Sequence, residues 1–262
     1  MTWDMQWDDE VDVLCTDAGV AGLAGAICAV DAGAEVLVAN VQAPPVSTAA
    51  GTSPGWLTVD SGDSETIAYL AELTGDLDAA ALSLLDDGLP VRPAPQPAAP
   101  PERKLPPFLG ARLRDWTARC VTSPSGYLYT RVTDWTTTPM LSADGDAVGV
   151  AEIGSMTPDP FDVAGSVLDW LDTEARLRNV DVESVTRMDR LVFEDGQVVG
   201  AVFATADGPL AIRARHGVLF CRAGLPAGRA QGLPAAGVLR VALVSKPASR
   251  FGRVELLTSD PA

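Results

Sequence analysis

Few residues in this chain have the type and spacing to do chemistry. There is a single histidine, His216, so multi-histidine metal sites are excluded by count. It stands between Arg215 and Gly217, just ahead of an apolar run. That is the amino end of a strand, far from ligands held at carboxyl ends, and the residue reads as structural. Ser53, Ser123 and Ser125 have no histidine partner in a matching motif, which leaves a hydrolase triad without support. Asp144-Gly145-Asp146 reads as a turn, because one short Asp pair does not make a calcium loop. Tyr127 and Tyr129 alternate with Leu128 and Thr130, the spacing of a packed or surface pair on a strand. Asp86-Asp87 reads as a solvated helix end. The four cysteines, Cys15, Cys28, Cys120 and Cys221, are widely spaced with no CxxC. They form neither a disulfide framework nor a zinc site, and buried reduced thiols are expected.

Composition narrows the class. A length of 262 residues suits one or two domains. The 47% apolar and 21% charged content is ordinary for a soluble globular chain. Asp plus Glu is 35 against 19 for Lys plus Arg, a net charge of −16. Such a chain is a poor partner for nucleic acid or an anionic membrane. No apolar run is long enough to span a bilayer. The acidic start, Met1 to Glu10, is the reverse of a basic signal-peptide leader. A cytoplasmic protein is expected.

The elements follow from local pattern. Residues 11 to 16 predict a short buried strand, 19 to 32 a small-residue helix closed by Gly33, and 35 to 39 a second apolar strand. Strand, glycine-rich turn, helix and strand make a βαβ unit, which is parallel and right-handed. A small-polar loop, Ser47 to Gly55, and two helices, Ser64 to Leu73 and Leu77 to Leu85, come next. Eight prolines between Pro90 and Pro107 predict a polyproline-like loop without regular structure. The aromatic stretch Trp116 to Trp135 offers at most two short strands. Residues 161 to 178 predict an amphipathic helix, with Val163, Val167, Leu168, Leu171, Ala175 and Leu177 apolar.

Then strands dominate: Val180 to Val185, Arg190 to Phe193, Val198 to Thr205 and Leu210 to Arg215. Asp195-Gly196 and Asp207-Gly208 join the last three as a β-meander. An apolar strand, Gly217 to Cys221, runs into Arg222-Ala223-Gly224. Two further strands, Val238 to Val244 and Val254 to Leu257, occupy the tail.

The run from Val11 through Asp17, Gly19 and Gly22 to Gly25 resembles the FAD fingerprint of the fumarate reductase and 3-ketosteroid dehydrogenase flavoproteins. The meander and the strand ending at Gly224 are similar in order and spacing to that family's return to its FAD domain. Ser47 to Trp56 resembles its Ser/Gly-rich loop. The resemblance covers roughly residues 10 to 75 and 160 to 226. It implies an α/β fold: a Rossmann-like FAD/NAD(P)-binding parallel sheet from residues 10–60 and 160–235, carrying the meander. A smaller Pro-rich region, 61–159, is inserted, with its Pro-rich loop at 90–107, and strands close the chain at 236–262. It implies a dinucleotide site at Asp17, Gly19, Gly22, Asn40, Arg222 and Gly224. If it holds, Cys15 and Cys221 end neighbouring parallel strands, and the Tyr127–Tyr129 pair could supply the acid of steroid-type chemistry.

Three of those places depart from the family pattern. Asp17 replaces the first glycine, the one that makes the tight turn, while the second and third are kept as Gly19 and Gly22. A carboxylate roughly 5 Å from a phosphate charge, at an effective dielectric near 20, costs about 3 kcal/mol. Asn40 replaces the acidic residue that accepts from ribose hydroxyls, without its charge assistance. Arg222-Ala223-Gly224 replaces a Thr-Gly-Gly turn. About 38 residues follow Gly224, without a Gly-Gly pair, so the segment that walls the flavin in this family is not expected here. The expectation is a degenerate flavoprotein with a vestigial site and no cofactor, a pseudoenzyme acting as a structural or regulatory subunit beside a protein partner or a second copy. The alternative is an FAD-dependent oxidoreductase with a weakened cofactor site, acting on a C–C bond of a steroid- or fumarate-like substrate. An Asp17–Arg222 ion pair lying in the former phosphate groove is a further expectation.

Overall fold

A computed structural model of the chain describes residues 6–41, 62–75, 77, 88–94, 96–97, 110–123, 125–131, 137–142, 145–221 and 237–258. The βαβ unit forms as its pattern requires: β1 (Asp9–Cys15), α1 (Val20–Asp31) and β2 (Val36–Val41). Gly33, at φ +86, supplies the left-handed residue that closes the turn after α1. β1 pairs in parallel with β2. β2 pairs in parallel with β8 (Asp181–Val185), so this strand joins the open sheet rather than the meander. Between them, α4 (Val163–Leu177) makes the crossover, capped by the Asp162 carboxylate on the Gly165 N–H at 3.0 Å.

The meander is β9 (Arg187–Glu194), β10 (Gln197–Thr205) and β11 (Gly208–Cys221). Asp195 and Gly196, at φ 50 and 74, form the first hairpin, the pairing that type I′ turns favour. The second turn sits one residue earlier than its sequence suggests. Thr205 pairs with Gly208, so Ala206-Asp207 make the corner. The two strands read on either side of His216 are one 14-residue strand, β11. Gly217, at φ +137, absorbs the irregularity in the strand beside the register shift with β1.

The rest of the sheet is antiparallel except for β3 on β13, and much of its pairing is long-range. β5 (Gly126–Tyr129) pairs with β11, and β13 (Phe251–Thr258) pairs with β5. β12 (Leu239–Ser245) lies between β13 and β7 (Ala147–Met156), and β6 (Thr138–Leu141) lies outside β7. The tail strands therefore stand inside the sheet. The Pro-rich segment also departs from expectation, because two short strands form in it. β3 (Val91–Pro93) pairs with β13, and β4 (Gln96–Pro97) pairs with β6. Both are three residues or fewer, and β4 closes the sheet's end, the place where proline's missing donor is tolerated.

The side chains of the central strands alternate between two cores. Val13, Cys15, Val36, Val38 and Leu219 face Val20, Ile27, Val167 and Leu171 of α1 and α4. Leu14, Leu37, Leu128, Val218 and Phe220 face the other way. They meet Leu70 of α2 (Ser64–Thr74) and Trp116 of α3 (Gly110–Thr122). α3 was not expected from the aromatic stretch. Leu113, Trp116, Cys120 and Val121 carry the i, i+3, i+4 spacing of a helix, masked in the sequence by interleaved Arg114, Asp115 and Arg119. The Leu77 to Leu85 helix and the Ser47 to Gly55 loop lie outside the described residues, Leu77 excepted.

Candidate functional site

The sheet presents its first crevice where β1 ends and α1 begins, and the local sequence makes the approach close. A Cβ added to Gly22 would stand 1.8 Å from the Asp17 carbonyl oxygen, and one added to Gly25 would stand 2.5 Å from Leu219 Cδ2. Only glycine lets the helix lie this near the strand ends, which is the third-glycine role of a dinucleotide fingerprint. Thr16 ties the two central strands at their carboxyl ends. Its N–H donates to the Leu219 carbonyl at 3.0 Å and its hydroxyl accepts from the Cys221 N–H at 3.2 Å.

Asp17 sits at the corner. Its carboxylate accepts the Gly19 N–H at 2.7 Å, and the residue is only 8% exposed. Burial pushes its carboxyl up to about 6, against the Gly19 and Ala18 N–H groups, which favour the ionised form. Its φ is not positive, so the backbone does not demand glycine there. Gly19 is the residue before α1. Asn40 is half-buried near the carboxyl end of β2, level with Ser184 of β8. Arg222 and Gly224, and with them the Asp17–Arg222 pair, lie outside the described residues. The close approach at Gly22 and Gly25 is the backbone geometry a dinucleotide fingerprint calls for. The Asp17 carboxylate does not fit a phosphate at the same N–H groups, since two anions would share one helix N-terminus.

The other candidates resolve into structural roles. Cys15 and Cys221 belong to adjacent parallel strands, β1 and β11. Burial pushes Cys15 and Cys28 up to about 12, and Cys120 and Cys221 well above the ordinary thiol value. All four are free, and these raised values make poor nucleophiles. The Tyr129 hydroxyl donates to the His216 carbonyl at 2.9 Å. The Tyr127 hydroxyl is buried without a hydrogen bond, and burial raises it far above the usual phenol range, the opposite of an acid poised for proton transfer. The Ser123 and Ser125 hydroxyls stand 3.0 Å apart, and Ser125 donates to the Val254 carbonyl at 3.0 Å. Asp146 pairs with Lys246 at 2.7 Å. Ser53, Asp86, Asp87 and Asp144 lie outside the described residues. Among the described residues, no group of three or more His, Cys, Asp or Glu side chains gathers as a metal site.

At the opposite end of β1 the charges are cross-paired. Arg215 reaches Asp12 at 2.8 Å, Glu35 at 2.9 Å and Glu10 at 3.2 Å. Its guanidinium holds the Asp12 carboxyl below the usual range. His216 is exposed and 3.8 Å from Asp12; it lies inside the continuous β11, level with the middle of β1, and not at a strand entry as its sequence position suggested. A cavity of about 340 Å³ opens beside this network, lined by Glu10, Arg131, Arg213 and Arg215.

Sequence reading missed one charged pair. Arg253 and Glu255, 1% and 3% exposed, lie on one face of β13 with Nε to Oε1 at 2.7 Å. Arg253 stacks over the Trp116 ring at 5.4 Å, so α3 covers them. The Arg-x-Glu spacing inside an apolar strand was the available signal.

Comparison with solved structures returns flavoproteins at low similarity. The 3-ketosteroid-Δ4-(5α)-dehydrogenase of Rhodococcus jostii RHA1 matches at 21% identity over 83% of this chain and 46% of that one, with a TM-score of 0.34. A flavocytochrome c3 fumarate reductase matches at 17% identity over 82% and 36%, with a TM-score of 0.30. The 3-ketosteroid Δ1-dehydrogenase of Sterolibacterium denitrificans matches at 14% identity over 80% and 47%, also at 0.30. This chain spans less than half the length of each of them. No curated protein matches the sequence. The expectation that no cofactor belongs to this fold finds no support in the family comparison. The model of the FAD binding domain family matches residues 12–247, from the first strand to the strand beside β13, and this chain belongs to that family.

Proposed function

We propose that this chain is the FAD-binding part of an FAD-dependent oxidoreductase with a weakened phosphate corner. The observation that carries the reading is the close helix–strand approach at Gly22 and Gly25, in a chain of the FAD binding domain family. A flavin bound there would supply two-electron redox chemistry. This chain's own residues would supply the N–H groups opening α1 and the glycine-lined approach beneath them. A C–C bond of a steroid- or fumarate-like substrate is the proposed target class, and the proposed acceptor at the ribose is Asn40. Arg222 and Gly224 complete the proposed contact set, with the Rossmann part assigned to residues 10–60 and 160–235. Titrating purified protein with FAD tests the reading. Quenched flavin fluorescence with 1:1 stoichiometry supports it. A colourless protein whose thermal midpoint does not move with excess FAD refutes it, because a ligand at 100 times its dissociation constant adds about 2.7 kcal/mol.

One observation favours a second reading, a non-catalytic subunit. The Asp17 carboxylate stands on the helix N-terminus that the phosphate needs. Such a subunit would work beside a protein partner or a second copy. Light scattering on a size-exclusion column separates the two: a monomer that binds FAD removes the subunit reading.

A further inference from the structure

The geometry points to Asp17 as the residue that sets nucleotide affinity in this chain: its carboxylate is an internal anion on the Gly19 N–H just ahead of α1, and a phosphate ligand at that helix start has to displace it. This rests on the FAD-binding reading for the identity of the natural ligand, but not for the competition itself.

Three features of the corner carry the inference. The carboxylate is buried and already takes the Gly19 N–H at 2.7 Å, so one donor of the helix N-terminus is engaged by the chain itself. The closest point of the cradle, Gly22 against the Asp17 carbonyl, fixes the Asp17 backbone directly over the first turn of α1. The backbone of Asp17 lies outside the left-handed region, so glycine there relieves no strain. Replacing the residue by Asn therefore isolates the effect of its charge. From β11, the buried Cys221 thiol is close enough for Asp17 to add to the rise that burial causes in its value. No neighbouring cation from α1, β1 or β11 offsets it among the described residues.

The test uses the whole chain and its Asp17→Asn and Asp17→Gly variants, each checked for folding by circular dichroism. Inorganic pyrophosphate and FAD are titrated calorimetrically at pH 8. Asn keeps the side-chain shape and an acceptor oxygen without the charge, and Gly removes both. Both variants are expected to bind pyrophosphate about a hundredfold more tightly than the parent chain, the factor set by two charges roughly 5 Å apart at an effective dielectric near 20. Equal pyrophosphate affinity in all three proteins, including no binding in any, overturns the inference. A parent chain that binds FAD as tightly as Asp17→Asn also overturns it, while leaving the FAD reading intact. Variants that gain pyrophosphate but never bind FAD uphold the inference and refute the FAD reading.

Discussion

The two ends of β1 handle negative charge in opposite ways. At the amino end, Asp12, Glu10 and Glu35 surround the Arg215 guanidinium, half in water, and the field of the arginine lowers the Asp12 carboxyl. At the carboxyl end, Asp17 is alone among the described residues, buried, and held by backbone N–H groups. The same side-chain type thus has a lowered value within β1, at Asp12, and a raised one two residues past its end, at Asp17. Pairing with a cation decides the first and loss of water decides the second. A cross-paired cluster reads as scaffold. A buried carboxylate with only amide partners loses more to burial than those partners return.

The largest expected effect tests the carboxyl end. The Asp17 carboxyl is raised from its ordinary 3.8 to about 6 in the fold. Its favourable contribution is therefore present below pH 3.8, falls as pH rises, and is lost above about 6, where the ionised form costs stability. Asp17→Asn is expected to be more stable than the parent chain by about 3 kcal/mol at pH 8 and equal to it near pH 3.5. Denaturant unfolding at the two pH values checks this. A variant that is less stable at pH 8 would mean that amide bonds outweigh desolvation, and the contrast between the two ends would disappear.

Next in size is the tightness of the same corner. Gly22→Ala places a methyl 1.8 Å from the Asp17 carbonyl, a backbone atom that cannot swing aside. A loss of about 1–3 kcal/mol is expected from this overpacking. The midpoint of thermal unfolding reads it directly. An unchanged midpoint would show that α1 shifts freely over the strand ends, and that the cradle is not fixed.

The smallest effect belongs to the amino end. The Asp12 contribution is present above its ordinary value and is lost as pH falls through its lowered one. Asp12→Asn is therefore expected to be slightly less stable than the parent chain at pH 7, with the gap closing in acid and in 0.5 M salt, because the cluster is solvated. A gap that survives salt would mark this cluster as buried in function if not in area. The 340 Å³ cavity beside it would then need an explanation of its own.

How much of this was legible in the sequence differs by element. The βαβ unit, the amphipathic α4 and the Asp195-Gly196 hairpin follow from spacing over a few residues, and they stand where that spacing put them. The glycines at 19, 22 and 25 and the odd Asp17 were readable for the same reason. What Asp17 does was not. Its position on the Gly19 N–H is a short local contact, yet its burial depends on β11 and α1 closing around it.

Composition, local periodicity and the family resemblance determined the fold class, the negative charge and the glycine-lined start of α1. Only the tertiary structure decided that β12 and β13 lie between β7 and β5, that β11 is continuous through Gly217, and that prolines 93 and 97 end in short strands. It also decided which charges leave water. Arg253 and Glu255 alternate like any exposed pair on a strand, and they are buried because α3, far away in sequence, lies over that face. A sequence carries its turns and periods locally. Burial is a property of what arrives from elsewhere in the chain, and for a charged group the loss of solvent outweighs any intrinsic preference of the residue.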